Sequence, residues 1–398
     1  MAEEQAYCPR ISKALMKGIN LASIRWIVFL MPVLAGAQTW TQTAAPATNW
    51  SSVAVSADGS KIVAALSLGG IYTSTNYGST WISNPVPSQE WRAVASSADG
   101  TRLAAALFNT TPYTSADGGL SWHTNAPQGN GWMSLASSAD GLRLAATAQS
   151  GWVVRSTNAG SNWFYLSNTP ATTEIVVVAS SADGRKLAAM MAGAAFTSTN
   201  AGTNWVTNKS TIMKPGWLSV ASSADGNTLA AVWGGSSVIV TTNAGGTWSS
   251  NNIPGVDLST IASSADGTTL VAAGAGLARA IALSTNSGVT WNTNQFAHAG
   301  NWVSVASSAD GNTLVAAASP GGIWIRRSIP SPQLNITAAG GKVALAWTVP
   351  STNFVLQESP DLATWADSPN PPVLDLTILQ NQVLVPPTNN TFYRLQSQ

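Results

Sequence analysis

Short apolar runs separated by Gly, Asp, Asn and Ser recur along most of this 398-residue chain. Runs of this length, bounded by turn residues, read as strands. Leu103-Ala104-Ala105-Ala106 is typical. Its residues have good helix propensity, but so short a segment does not hold a helix in water. The tripeptide Ala-Asp-Gly recurs with its Asp at 58, 99, 140, 183, 225, 266 and 310. Asp-Gly between apolar runs is a hairpin signal, since Gly supplies the positive φ of a tight turn. Eight residues before each Asp stands a large apolar residue: Trp50, Trp91, Trp132, Ile175, Trp217, Leu258 or Trp302. Four short strands per repeat of about 42 residues, seven times over, predict an all-β fold, a seven-bladed β-propeller. The Ala-rich runs are expected to let neighbouring sheets approach closely near a central axis.

A second motif keeps the same register. Ser74-Thr75-Asn76-Tyr77-Gly78-Ser79-Thr80-Trp81 is one copy. Others begin at Ser115 (with Asp117), Ser156, Ser198, Thr241 and Ser284, and end at Trp122, Trp163, Trp205, Trp248 and Trp291. In this S/T-x-N/D-x-G-x-x-W octapeptide the Asn or Asp side chain can accept turn N–H groups and the Gly takes positive φ. The Trp then packs over the hairpin with a large apolar area. The pattern resembles the Asp-box, or BNR, repeat of sialidase-like propellers, over roughly residues 38–328. The seventh unit has Arg326-Arg327-Ser328 where the octapeptide would start. Trp40 precedes Trp50 by the same ten residues that separate Trp81 from Trp91. Trp40-Thr41-Gln42 is therefore expected to supply the last strand of the last blade from the N-terminus, hiding a sheet edge.

The two ends read differently. Arg10, Lys13, Lys17 and Arg25 precede the apolar run Trp26 to Leu34, followed by Ala35-Gly36-Ala37. This is the pattern of a signal peptide over residues 1–37, and the run is too short to span a bilayer. No transmembrane segment is expected after its cleavage, so the chain is read as secreted or held at the cell surface by bacterial-type export. The propeller is expected over 38–329. Beyond the stiff Ile329-Pro330-Ser331-Pro332, alternating runs across 330–398 predict a small β-sandwich, similar to fibronectin-type-III-like end domains of secreted proteins.

Composition narrows the function. Only 9% of residues are charged and the formal net charge is +1. With no Lys/Arg run to displace counterions, no nucleic-acid partner is expected. Cys8 is the single cysteine and lies in the leader, which excludes disulfides and thiolate chemistry from the rest. One carboxylate per repeat turn falls short of the six or more oxygens of a calcium site. His123 and His298 stand alone, without zinc spacing. No metal and no cofactor are expected.

Candidate chemistry lies where the repeats diverge. The Ala-Asp-Gly turns and the octapeptides share one face and are nearly identical among copies. The connections on the opposite face differ in every copy, and divergent loops carry function. The ligand-binding candidates there are Glu90, Trp152, Glu174, Trp233, Asp257, Arg279 and His298. Glu90, Glu174 and Asp257 are the carboxylates a glycosidase would need in a pair roughly 5 to 10 Å apart. Sialidases add an arginine triad, but the first blade lacks an Arg-Ile-Pro element and this face has no arginine trio. The expectation is a non-catalytic, monomeric recognition scaffold for a glycan or an extracellular protein, with no catalytic residue assigned. The alternative is a carbohydrate-active enzyme of sialidase or xyloglucanase type. Three residues past the repeat Asp stand Lys61, Arg102, Arg143 and Lys186 in the first four repeats, but Thr228, Thr269 and Thr313 in the rest. This basic arc reads either as local ion pairs with its own Asp residues or as a docking surface for an acidic partner.

Overall fold

A computed structural model describes residues 39–108, 111–124, 131–148, 151–166, 177–191, 193–208, 216–275, 280–294, 301–328, 334–339, 342–348, 354–360, 364–375, 380–385 and 391–397. Residues 1–37, read as a leader, lie outside these. The described residues are all-β, with no helix among them. Those of 39–328 form seven four-stranded antiparallel sheets, the blades of a propeller. Blades 1 to 6 each use four strands in chain order. In blade 7 the order is broken: Trp40–Gln42 lies at the outer edge beside Ile323–Arg327, followed inward by Thr313–Ser319 and Asn301–Ser307. Trp40 pairs with Arg326, and Gln42 with Trp324. The N-terminal strand thus covers the last blade's edge.

The innermost strand of each blade is the one that begins near the large apolar residue, such as Trp50–Val55 or Trp91–Ser96. The Ala-rich strands come second, one step out from the axis. Ile62–Leu66, Leu103–Leu107 and Leu144–Ala148 are buried at every position. A strand buried on both faces reads as an unbroken apolar run, and small side chains let flanking blades close over it. Trp50, Trp91, Trp132 and Trp302 are almost fully buried and anchor the core between blades.

Two sets of hydrogen bonds close the ring. The backbone N–H of Ala57 donates to the carbonyl of Ala98 at 2.7 Å, and the same bond links Ala98 to Ala139, Ala139 to Ala182, Ala182 to Ala224, Ala224 to Ala265 and Ala265 to Ala309. Ala309 N–H returns to the carbonyl of Ala57 at 2.9 Å. Higher up, a hydroxyl on one inner strand accepts an amide of the next. Ser52 accepts Val94 N–H, Ser134 accepts Val178, Ser219 accepts Ile261, Thr260 accepts Val305, and Ser304 accepts Val53. The equivalent positions in blades 2 and 4 are Ala93 and Val177, which have no hydroxyl.

Each Ala-Asp-Gly turn is built around a serine two residues before the Asp. In blade 5, Ser223 Oγ donates to Asp225 Oδ1 at 2.6 Å and accepts Thr228 N–H at 2.9 Å, while Asp225 Oδ1 also accepts Asn227 N–H. The glycine is needed for contact as well as for its φ of 69°. A Cβ on Gly226 would stand 2.8 Å from Lys186 of the preceding blade, and one on Gly59 would stand 2.5 Å from Thr313. No side chain fits at either position.

Residues 335–397 form two further sheets among those described. One holds four strands and the other three. Val343, Leu345, Trp347, Leu356, Val383, Val385 and Tyr393 pack as their shared core, the arrangement of a β-sandwich.

Candidate functional site

The divergent face is described at four of the seven ligand-binding candidates. Glu174, Arg279 and His298 lie outside the described residues. Glu90 forms an ion pair with Arg92, and the Arg92 guanidinium stands 5.1 Å from the centre of the Phe108 ring. Such a stack adds cation–π attraction. Asp257, at the start of blade 6, accepts the N–H of Gly235 from blade 5 at 2.6 Å. Both described carboxylates on this face therefore hold neighbouring structure, at the entries to different blades. Trp233 packs edge-on against Trp217, with ring centres 5.3 Å apart.

Trp152 is different. It is 47% exposed and meets Tyr165 edge-on at 5.9 Å. Tyr165 is 48% exposed, and Phe164 beside it is also exposed. Strand pairing explains the grouping. Tyr165 lies opposite Val154, and Phe164 opposite Arg155. Period-2 alternation then puts Trp152 on the side of Tyr165 and sends Phe164 to the other face. Blade 3 thus presents aromatic surface at its upper outer corner. Sequence reasoning missed Arg92, Phe164 and Tyr165. Arg92 had a signal: the residue after the large apolar anchor is Ser51, Met133, Leu218 or Val303 in other repeats, and only there is it charged.

The basic arc is engaged with the next blade rather than with its own Asp residues. Lys61 Nζ donates to the carbonyl of Asp99 at 2.7 Å. Arg102 reaches the carbonyl of Asp140, and Arg143 that of Asp183. Lys186 Nζ donates to Asn227 Oδ1. The turn carboxyls respond to these surroundings. Burial pushes Asp99, Asp183 and Asp225 up, but hydrogen bonds from Ser97, Ser181 and Ser223, with their neighbours, outweigh it and leave all three low. Asp310 departs from this pattern: burial at the junction of blades 7 and 1 pushes it up to about 6.

The octapeptides share one geometry. In the first, Ser74 Oγ donates to Asn76 Oδ1 and accepts Gly78 N–H, while Asn76 Oδ1 accepts Thr80 N–H. The copies that begin at Ser115, Ser156, Ser198, Thr241 and Ser284 repeat these bonds.

Solved structures share this architecture. YCF48 from Cyanidioschyzon merolae superposes with a TM-score of 0.57 at 14% identity, over 72% of this chain and 98% of that one. A structure of YCF48 bound to D1 peptide gives 0.57 at 15% identity, over 77% and 99%. A chain of the mitotic checkpoint complex gives 0.60 at 16% identity, over 82% and 98%. At these identities the likeness is one of fold: a multi-bladed β-propeller. No family model and no curated protein matches the sequence.

Proposed function

We propose that this chain is a secreted, non-catalytic β-propeller that acts as a recognition scaffold for a protein partner. The observation that carries the reading is the division of labour on the divergent face. Glu90 and Asp257 are committed to Arg92 and to the Gly235 amide. Trp152 and Tyr165 meanwhile offer their paired rings to solvent. Exposed aromatic clusters of this kind mark interaction surfaces. A propeller of similar fold, YCF48, is seen with a D1 peptide, which supports a protein partner. The repeated octapeptide geometry supports membership among Asp-box propellers. The leader read over residues 1–37 supports a location outside the cytoplasm, and the sandwich of 335–397 fits a fibronectin-III-like end domain.

A glycan is the second reading, favoured by the Trp152–Tyr165 pair, since sugar rings stack on exposed aromatic faces. The test uses the whole chain and a Trp152→Ala/Tyr165→Ala variant. Both are run through native gels cast with a polysaccharide panel and cross-linked in extracts of the producing cells. The protein reading expects a defined cross-linked partner that the variant loses, with unaltered migration in the gels. Retarded migration lost in the variant would move the ligand to a glycan. Cleared zones abolished by Glu90→Gln or Asp257→Asn would replace the proposal with a hydrolase.

A further inference from the structure

The conserved face carries a departure that the repeats make visible. Six octapeptide copies show what the turn requires, so a copy that breaks the pattern without breaking the turn has another reason to do so. The second copy breaks it at four positions, beginning with Ala116 where the others have Thr75, Thr157, Thr199, Thr242 or Thr285. It has Asp117 where the others have Asn, and Gly118 where they have Tyr77, Ala159, Ala201, Ala244 or Ser287. It also has Leu120 where they have Ser79, Ser161, Thr203, Gly246 or Val289. The turn itself is intact: Asp117 accepts Ser115 Oγ–H and Ser121 N–H, as Asn does elsewhere. Gly118 is not required by geometry, because the other five residues hold φ between 54° and 58° at this position with a side chain. A Cβ there would come no closer than 3.7 Å to any neighbour.

These changes surround a cleft. Between blades 1 and 2, on the octapeptide side, a cavity of about 250 Å³ is lined by Thr73, Ile82, Pro85, Leu103, Gly118 and Leu120, with Lys61 and Asp117 at its edges. The same crevice between blades 3 and 4, lined by Arg143, Arg155 and Ala201, holds about 10 Å³. Between blades 4 and 5, with Lys186, Thr197 and Ala244, it again holds about 10 Å³. Ile82 and Leu120 are 60% and 72% exposed, so the opened crevice has solvent-facing aliphatic walls. Lys61 is held to the carbonyl of Asp99. Hydrogen bonds from Ser121 keep the Asp117 carboxyl down at about 2, so it is charged at any physiological pH.

We infer that the cleft between blades 1 and 2 is a docking site for an extended peptide of a protein partner, with one bulky aliphatic or aromatic side chain in the cavity and a basic residue against Asp117. The volume suits a single large side chain and not a helix face. The aliphatic walls without an aromatic platform suit a peptide anchor better than a sugar. The carboxylate at the rim selects a cationic flank. This site lies on the face opposite Trp152, and the inference rests on the protein-binding reading while adding a second surface to it.

The repeats also supply the test. Gly118→Tyr places in this copy the residue that the first copy carries at the same φ. Leu120→Ser and Asp117→Asn likewise restore residues found in other copies, so folding is preserved and melting checks it. The probe is a synthetic positional-scanning octapeptide library, with each position held in turn at each residue, presented to the intact chain. The expected result is enrichment of a large apolar residue next to Lys or Arg. Binding of the enriched peptides should fall about tenfold or more in Gly118→Tyr and in Leu120→Ser. In Asp117→Asn, binding should weaken and lose its salt dependence. Peptides that bind Gly118→Tyr as well as the parent would overturn the site and leave protein binding standing. Loss of the same peptides in Trp152→Ala alone would place docking on the other face. A library with no enriched peptide would overturn the site and the protein-binding reading together.

Discussion

The amide of Ala309 in the last blade donates to the carbonyl of Ala57 in the first, 252 positions earlier in the chain, at 2.9 Å. It is the closing member of a ring of such bonds, and it depends on blade 7 being held in place. That blade's outer edge is Trp40–Gln42. Closure by an N-terminal strand ties the two ends of the propeller to one another and covers the edge of Ile323–Arg327.

Trp40 is buried against blade 7. Trp40→Ala should cost about 3 kcal/mol or more, lowering the melting temperature by roughly 5 °C in a domain of this size. Calorimetry checks both the shift and its cooperativity. A shift within about 2 °C would show that the strand contributes little to closure.

The buried turn serines should matter more than their polarity suggests. Ser223→Ala removes both the donor to Asp225 and the acceptor of Thr228 N–H. A buried amide left without its acceptor costs about 1 to 3 kcal/mol. Ser250→Ala, on an exposed outer strand, should stay within about 0.5 kcal/mol. Urea titrations of the two variants compare them directly. Equal midpoints would contradict the role given to Ser223.

Much of the fold was legible because it is written locally. Asp-Gly turns, the octapeptide and the interval between Trp40 and Trp50 are all short-range signals. What escaped the reading acts between repeats. The Ser52, Ser134, Ser219, Thr260 and Ser304 hydroxyls each bond a residue on another blade, more than 40 positions away or across the ring closure. Lys61 reaches Asp99 rather than Asp58 for the same reason. Propeller geometry places each turn under its neighbour, and nothing in one repeat records that offset. On the divergent face, Asp257 looked like a free carboxylate because its partner, the Gly235 amide, belongs to another blade.

The arc of Lys61, Arg102, Arg143 and Lys186 has a built-in comparison, since Thr228, Thr269 and Thr313 hold the same place in the other blades. Arg102→Thr keeps a Cβ against Gly141 and loses only the reach to the Asp140 carbonyl. Stability should change by no more than about 1 kcal/mol. If the arc also docks an acidic partner, charge reversal at Arg102 and Arg143 should abolish its capture in low salt. Unchanged capture would leave these residues a purely structural role.

Stability should vary with pH in two opposed ways. Asp310 is raised to about 6 by burial. A raised carboxyl favours the fold at low pH, and that contribution is lost as pH rises through 6. Asp99, Asp117, Asp183 and Asp225 are lowered, so their contribution is present above the ordinary carboxyl value of 3.8 and is lost as pH falls below it. The maximum is expected at about pH 4 to 5. Asp310→Asn should flatten the decline between about pH 4 and 7, a change on the order of 2 kcal/mol. Melting curves across this range give the answer, and an unaltered decline in Asp310→Asn would assign it to another group.

The central claim is that seven blades form one closed body on which recognition surfaces are carried. Native-state hydrogen exchange of the whole chain, read by mass spectrometry, tests it most directly. Segments containing the amides of Ala57, Ala98, Ala139, Ala182, Ala224, Ala265 and Ala309 should exchange at one slow rate set by global unfolding. Fast exchange at Ala309, with Ala139 and Ala182 still protected, would mean that blades 7 and 1 part in the native state and that the ring is not closed.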